Sequence, residues 1–181
     1  MKDNVTDSLS RNFSDKERLT YEDFIHEDEK GMDILSHVYE YNEGVQKLAF
    51  DKISRPWLEI CWPDVADIGG SGSDSWFLPA FLNKKSFIHL FPSLLNFIYI
   101  APKIREDKIS TGCEMFLNCF VTQLDLNFVK QDWKKEFYFS LSEEMKKTVC
   151  LILESLVCVT WIMDYAKDAL ESYWHQWSEI S

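Results

Sequence analysis

The sequence predicts a mainly α-helical, single-domain bundle, and three observations support this prediction. Its 181 residues are the size of one ordinary domain, long enough to bury a core of its own. The chain is 46% hydrophobic and 15% aromatic, which distinguishes it from disordered chains of similar charge. Apolar residues recur at three- and four-residue steps along several segments, as they do on one face of an amphipathic helix.

The N-terminal segment, residues 1–18, is polar and charged. Its large apolar groups are Val5, Leu9 and Phe13, which are few for a segment that must be ordered against a core. We therefore expect a loosely ordered arm here, followed by a single helical domain over residues 19–181.

The first clear helical period runs over residues 33–53. Gly44 falls in its middle and weakens a helix by about 1 kcal/mol relative to alanine. The helix should end by Ser54, because Arg55 precedes Pro56 and the residue before a proline disfavours the α conformation.

In two regions the sequence allows a short strand as an alternative. Residues 57–62 lie between two prolines and lack a helical period, so they fit a short strand or an irregular segment. Residues 116–124 have helically spaced apolar groups but also β-branched content, and we favour a helix there. The glycine-rich residues 64–73 between these regions are typical of a flexible connector.

Further helices are predicted on both sides of this ambiguous region. Asp74 or Ser75 can cap a helix, and another spans residues 86–100 with Pro92 as a kink or boundary. The strongest prediction is a helix over residues 142–163. Its start has the spacing of a capping box, with Ser140 and Glu143 as the paired residues. Residues 164–177 keep a rough helical register and either continue that helix or turn back on the bundle.

The net charge of the chain favours some classes of binding partner over others. The chain has 30 acidic and 19 basic residues and a net charge of −11, which opposes binding to nucleic acid or to an anionic membrane. Its first 50 residues contain 12 acids and 6 bases, so more than half of the net charge lies in about a quarter of the chain. A basic protein partner is the interaction that this balance favours.

The cysteines and the N-terminus indicate a reducing compartment. Five cysteines, an odd number without Cys-x-x-Cys spacing, argue against a disulfide framework and a thiolate zinc site. No apolar leader follows the first residues, and the longest apolar runs fall short of the roughly 20 residues that cross a bilayer. We expect a cytoplasmic protein with reduced thiols.

No catalytic, cofactor or metal motif emerges. The glycine-rich loop is not followed by the lysine of a phosphate-binding loop, and the histidines are scattered. The pairs His37 with Glu40 and Glu171 with His175 have spacings that place two ligands on one helix side, but no second matching pair accompanies either. We therefore expect no enzyme activity, no cofactor and no metal.

Two groups of residues are candidates for partner binding. Tryptophans flank the glycine-rich loop together with aspartates, a mixture of aromatic anchors and charge that suits a protein-binding surface. A dense acidic run lies earlier in the chain. The alternatives are core rings that frame a loop and a solvated helix face. The candidates are Trp57, Trp62, Asp64, Asp67, Asp74 and Trp76 in the first group, and Glu22, Asp23, Glu27, Asp28 and Glu29 in the second.

Two short motifs carry a family resemblance. The segment Phe-Leu-Pro-Ala-Phe-Leu at residues 77–82 and the helix start Leu-Ser-Glu-Glu-Met at residues 141–145 resemble a family of small uncharacterised bacterial proteins. The likeness covers roughly residues 45–160, although Met145 stands where the family has glutamine. It implies no catalytic residues.

In size, acidity and helical content the chain is also similar to the immunity proteins that bacteria make against polymorphic toxins. That resemblance implies binding and neutralisation of a toxin domain, here a basic one. The alternatives are a regulatory or scaffold module with another partner and, less favoured, an enzyme without a recognisable motif.

Overall fold

The fold is mainly helical, as the sequence predicts. A computed structural model describes residues 2–13, 18–20, 51–52, 54–60, 82–100, 103 and 111–178 of the chain. No strand occurs within these ranges. Six α-helices with defined bounds are α1 (Lys2–Asn12), α2 (Lys84–Ile100), α3 (Thr111–Thr122), α4 (Asp132–Ser140), α5 (Glu143–Leu156) and α6 (Met163–Ser172), and two 3-10 helices cover Trp57–Glu59 and Trp174–Trp177.

Within the N-terminal segment, for which a loose arm is expected, residues 2–12 form α1, and this helix packs against α5 and α2. Val5 and Leu9 are one helical turn apart and are fully buried. Ser8 and Thr148 share a buried hydrogen bond of 2.8 Å, and Arg11 pairs with Glu144. Burial of Val5 and Leu9, together with these polar contacts, docks the polar helix α1 on the bundle.

Helix α2 occupies the centre of the bundle. It contacts α1, α3, α5 and the 3-10 helix Trp57–Glu59, and 11 of its 17 residues are buried. The amide oxygen of Asn83 caps its first turn by accepting from the Ser86 N–H at 2.9 Å. The helix continues through Pro92, which the sequence suggested as a kink or boundary, because the residues on both sides of it are buried in the core.

The two regions with possible strands are helical where they are described. Residues 57–59 form a 3-10 helix whose backbone is tied to α2, since the Ser93 hydroxyl donates to the Trp57 carbonyl at 3.0 Å. Residues 116–122 belong to α3, and residues 123–124 form a turn. No strand forms in the described parts of these two regions, residues 61–62 lying outside them, and the favoured helix is confirmed for residues 113–122.

Helix α5 ends earlier than predicted. It stops at Leu156, whereas the apolar period continues to Met163. Short-range bonds from the Val157 N–H to Glu154 and from the Val159 N–H to Leu156 close a turn through a β-branched segment with weak helix propensity. The chain then reverses, so that α6 packs against both α5 and α3.

The predicted cap of α5 is shifted by two residues. Ser140 ends α4 and donates its hydroxyl to the Phe137 carbonyl at 2.7 Å. Ser142 is the N-cap, because its oxygen accepts from the Met145 N–H at 3.2 Å while its hydroxyl donates to Asn12 at 2.7 Å. One serine therefore caps α5 and also joins it to the end of α1.

Replacing Ser142 with alanine should lower the free energy of unfolding by about 1 kcal/mol, the usual cost of removing an N-cap oxygen. Ser140→Ala is the matched control and should cost less than half as much, since Ser140 is exposed and caps no N–H group in the described residues. Urea unfolding of both variants measures the difference. Equal costs would contradict the assignment of the cap.

The core is rich in aromatic rings. Phe87 and Phe91 on α2 contact Phe120 on α3 and the pair Phe137 and Tyr138 on α4, with ring centroids 5.0–6.4 Å apart. All six of these pairs are tilted or edge-to-face, and aromatic quadrupoles favour such offset or edge-on arrangements over a face-to-face sandwich. The cluster joins the three helices into one core.

Two further findings concern the thiols and the membrane. Cys113, Cys119, Cys150 and Cys158 form no disulfide bond with one another, and Cys61 lies outside the described residues. Burial raises the pKa of Cys113 and of Cys150 to about 12. Among the described helices, none combines the length and apolarity that crossing a membrane requires.

Candidate functional site

Most of the predicted partner-binding residues lie outside the described ranges. Of the eleven candidates, the structure describes Trp57 alone. Its ring is 2% exposed and belongs to the core, so it corresponds to the alternative interpretation of a core ring beside a loop. The other ten, Glu22, Asp23, Glu27, Asp28, Glu29, Trp62, Asp64, Asp67, Asp74 and Trp76, remain predictions from the sequence.

The described residues present a different group of aromatic side chains at the surface. Phe139, in the last turn of α4, is 52% exposed, and Tyr173 and Trp177 are half-buried. The Phe139 and Tyr173 rings lie 5.2 Å apart between centroids, and those of Tyr173 and Trp177 lie 4.7 Å apart. We call these three residues the C-terminal aromatic face.

A buried tryptophan fixes this face to the bundle. Trp174 is fully buried between Tyr173 and Tyr138, and its indole N–H donates to the Leu124 carbonyl at 2.8 Å. The Tyr138 hydroxyl donates to the neighbouring Gln123 carbonyl at 2.6 Å. Both bonds are made to the turn that follows α3, so Trp174 fixes the neighbouring rings of the face to the bundle.

An anionic group borders the face. The Trp177 indole N–H donates to one carboxylate oxygen of Glu143 at 2.6 Å. The ammonium of Lys146 lies 3.4 Å from the other oxygen and 5.1 Å from the Trp177 ring centroid. The hydrogen bond from Trp177, followed by Lys146, lowers the pKa of Glu143, so this exposed carboxylate stays ionised at neutral pH.

Sequence reasoning placed these rings in a helical register but did not assign them to a surface. Helix α6 ends at Ser172, and Trp174 and Trp177 lie in the 3-10 helix that begins after Tyr173, so the change of helix type decides which ring is buried. The partner Glu143 lies 34 residues earlier in the chain. The high density of aromatic residues near the C-terminus was the available signal, but their pairing with Glu143 depends on how α6 folds back on α5.

A second unusual group is the buried lysine Lys134 of α4. Its side chain is fully buried, its ammonium donates to the Gln123 side-chain oxygen at 2.7 Å, and it lies 4.8 Å from the Phe87 ring centroid. Burial lowers its pKa to about 8. A perturbed lysine is a candidate reactive group, but this one is enclosed by protein, and its bond holds the turn that follows α3. Its geometry supports a structural role.

Metal-ligand geometry is absent from the described part of the chain, where no three His, Cys, Asp or Glu side chains converge. His175 and Glu171, one of the pairs considered from the sequence, are both exposed, and the His175 ring nitrogen bonds to the Leu170 carbonyl. The pair His37 and Glu40 lies outside the described residues.

Comparisons with protein-family models, with curated proteins and with solved structures give no match to this chain.

Proposed function

We propose that this protein is an immunity-type binding protein that neutralises a basic bacterial toxin by direct protein–protein contact in the cytoplasm. The single observation that supports this proposal most is the C-terminal aromatic face beside the ionised Glu143. Aromatic side chains, and tryptophan and tyrosine above all, supply much of the energy of protein interfaces. Aromatic side chains that lie next to one another at a protein surface commonly mark an interaction site.

Charge argues for the nature of the partner. A net charge of −11 accelerates encounter with a basic protein and repels nucleic acid and anionic lipids. At the edge of the face, Glu143 has 71% of its side chain exposed, and the Lys146 ammonium lies 3.4 Å from one of its oxygens. A toxin domain that acts on nucleic acid or on another anionic substrate has the basic surface required.

The acidic run at Glu22, Asp23, Glu27, Asp28 and Glu29 extends the proposal to a second contact region. In this proposal the acidic run contributes long-range attraction, whereas the aromatic face contributes the contacts that decide how long the complex lasts.

A co-expression experiment tests the proposal. Cells that make the toxin encoded beside this gene should survive when they also make the wild-type protein. Phe139→Ala should weaken the complex about 30-fold if the ring is an interface anchor, and should reduce protection accordingly. Phe128→Ala is the matched control, since Phe128 is 56% exposed but belongs to the turn between α3 and α4, outside the face.

Binding of the purified pair, measured by calorimetry, complements the survival assay. Phe128→Ala should bind as the wild type does, and both variants should keep the wild-type unfolding midpoint. Full toxicity in cells that contain both wild-type proteins would rule out the proposed function.

A further inference from the structure

The ammonium of Lys146 is enclosed at the edge of the C-terminal aromatic face. Its side chain is only 11% exposed, although lysine side chains are rarely buried unless they are paired. The nitrogen lies 3.4 Å from a Glu143 oxygen and 5.1 Å from the centroid of the Trp177 ring. It also donates a hydrogen bond to the Tyr173 hydroxyl. A carboxylate, a hydroxyl and an aromatic ring thus surround one cation.

This enclosure fixes the groups around the cation as well as the cation itself. A charge removed from water must keep its partners, because an unpaired buried charge costs a large free energy. Lys146 extends from α5, which is held in the core by the buried side chains Met145 and Val149. Tyr173 and Trp177, by contrast, lie beyond the end of α6. The orientation of their rings is therefore set by a group on a firmly packed helix.

A different residue anchors the backbone of this segment. Trp174 is fully buried and its indole N–H donates to the Leu124 carbonyl at 2.8 Å, so the C-terminal 3-10 helix is docked without Lys146. The Trp177 indole donates to Glu143 at 2.6 Å, but 71% of the Glu143 side chain is exposed. That bond alone would join the ring to a side chain surrounded mostly by solvent. Backbone docking and ring orientation are thus separate, and Lys146 acts on the second.

We propose that Lys146 is the positioning residue of the C-terminal aromatic face, and that its ammonium holds Tyr173 and Trp177 in the orientation that the partner contacts. The face is then formed before the partner arrives, which removes the cost of ordering these rings on binding. The inference rests on the proposed function in taking this face as the contact surface. It adds a residue that strengthens the complex by acting through its neighbours.

The first test examines the protein alone, through the ¹H–¹⁵N relaxation of its assigned tryptophan indoles. In Lys146→Met, the order parameter of the Trp177 N–H should fall below about 0.6, the range of flexible groups, whereas that of Trp174 should stay near about 0.85. Lys147→Met removes the same charge from the next, exposed residue of α5 and should leave both values unchanged. Lys146→Arg keeps a cation that stacks on aromatic rings and should restore most of the lost order.

The second test measures binding of the purified toxin from the co-expression experiment, by calorimetry at low salt. Loss of either lysine makes the protein more acidic, so charge alone predicts that Lys146→Met and Lys147→Met both bind a basic partner more tightly. Positioning predicts the opposite for Lys146→Met. This variant should bind about tenfold more weakly, because only about a tenth of its molecules then present the rings in the binding orientation.

Tyr173→Phe covers the case in which Lys146→Met does not fold. It removes the hydroxyl that accepts from Lys146 but keeps the ring. The order parameter of the Trp177 N–H should fall in this variant too, by less than in Lys146→Met. Thermal unfolding followed by circular dichroism shows whether each variant is folded under the conditions of the assay.

Three results would overturn the inference: an unchanged order parameter of Trp177 in the folded variants Lys146→Met and Tyr173→Phe, an equal loss of order in Lys147→Met, or binding of the toxin by Lys146→Met as tight as that by the wild type. The relaxation measurements need no partner. If they give the expected result and the wild-type protein does not bind the toxin, the proposed function alone is refuted.

Discussion

Replacing Phe91 with alanine is expected to lower the free energy of unfolding by about 3–5 kcal/mol, the usual range for a buried phenylalanine. Phe91 is fully buried, and its ring contacts Phe13, Phe87, Phe120, Phe137 and Tyr138. The loss combines apolar surface returned to water with a cavity that rings on three other segments cannot fill. Since small domains are stable by only about 5–15 kcal/mol, this variant should be close to unfolding at 37 °C.

Urea unfolding followed by circular dichroism measures this cost. Phe128→Ala is again the control, because Phe128 is 56% exposed and its removal should change stability by less than about 0.5 kcal/mol. A loss of under 1 kcal/mol for Phe91→Ala would contradict the central place given to α2. It would mean that the helices around this ring collapse onto the cavity.

Replacing Lys134 with methionine should change how stability depends on pH. Burial lowers the pKa of Lys134 to about 8 in the folded protein, against an ordinary value of 10.5. Between these two values the unfolded chain binds more protons at this group than the folded one does, so this group makes the folded state more stable as pH rises. Below about pH 8 the folded protein must keep a charged ammonium in its core.

The stability of the wild type relative to Lys134→Met should therefore rise by up to about 3 kcal/mol between pH 7 and pH 10.5, at 1.36 kcal/mol per unit of pKa shift. The raised pKa values of Cys113 and Cys150 act in the opposite direction above about pH 9, because the unfolded chain loses those protons first. Both proteins have these thiols, so the difference between their curves isolates Lys134.

Urea unfolding of both proteins at pH 7, 8, 9 and 10 gives these curves. Lys135→Met is the control, since Lys135 is the next residue of α4 but is only half-buried. Its curve should run parallel to that of the wild type. Parallel curves for Lys134→Met as well would mean that the ammonium reaches water in solution.

How far the sequence anticipates the site depends on the distance along the chain between interacting groups. The Phe139 ring and the Glu143 carboxylate are four residues apart, yet they meet through Tyr173 and Trp177, about 34 residues later. The three- and four-residue spacing of apolar side chains does not predict contacts between groups so far apart in the chain. The tryptophan expected at a binding surface, Trp57, is buried because α2 covers it, and this too is a tertiary effect.

The same distinction applies to helix ends. Sequence periodicity located α2, α3 and α5, because a buried stripe requires apolar residues every three or four positions. Periodicity predicted too long a helix for α5. Apolar residues keep the helical spacing after Leu156, but the backbone hydrogen bonds there span only three residues and close a turn. The cap moved from Ser140 to Ser142 for a similar reason, since Asn12 of α1 supplies the partner that favours the second serine.

By itself, the sequence determined that this chain is a mainly helical, acidic protein, because composition, charge and helical periodicity are local properties that survive without a folded structure. The tertiary structure alone decided that residues 2–12 dock on the bundle, that Lys134 is enclosed among aromatic rings, and that Trp177 meets Glu143 at the surface. Each of these depends on which helix faces are brought together, and packing between segments distant in sequence sets that choice.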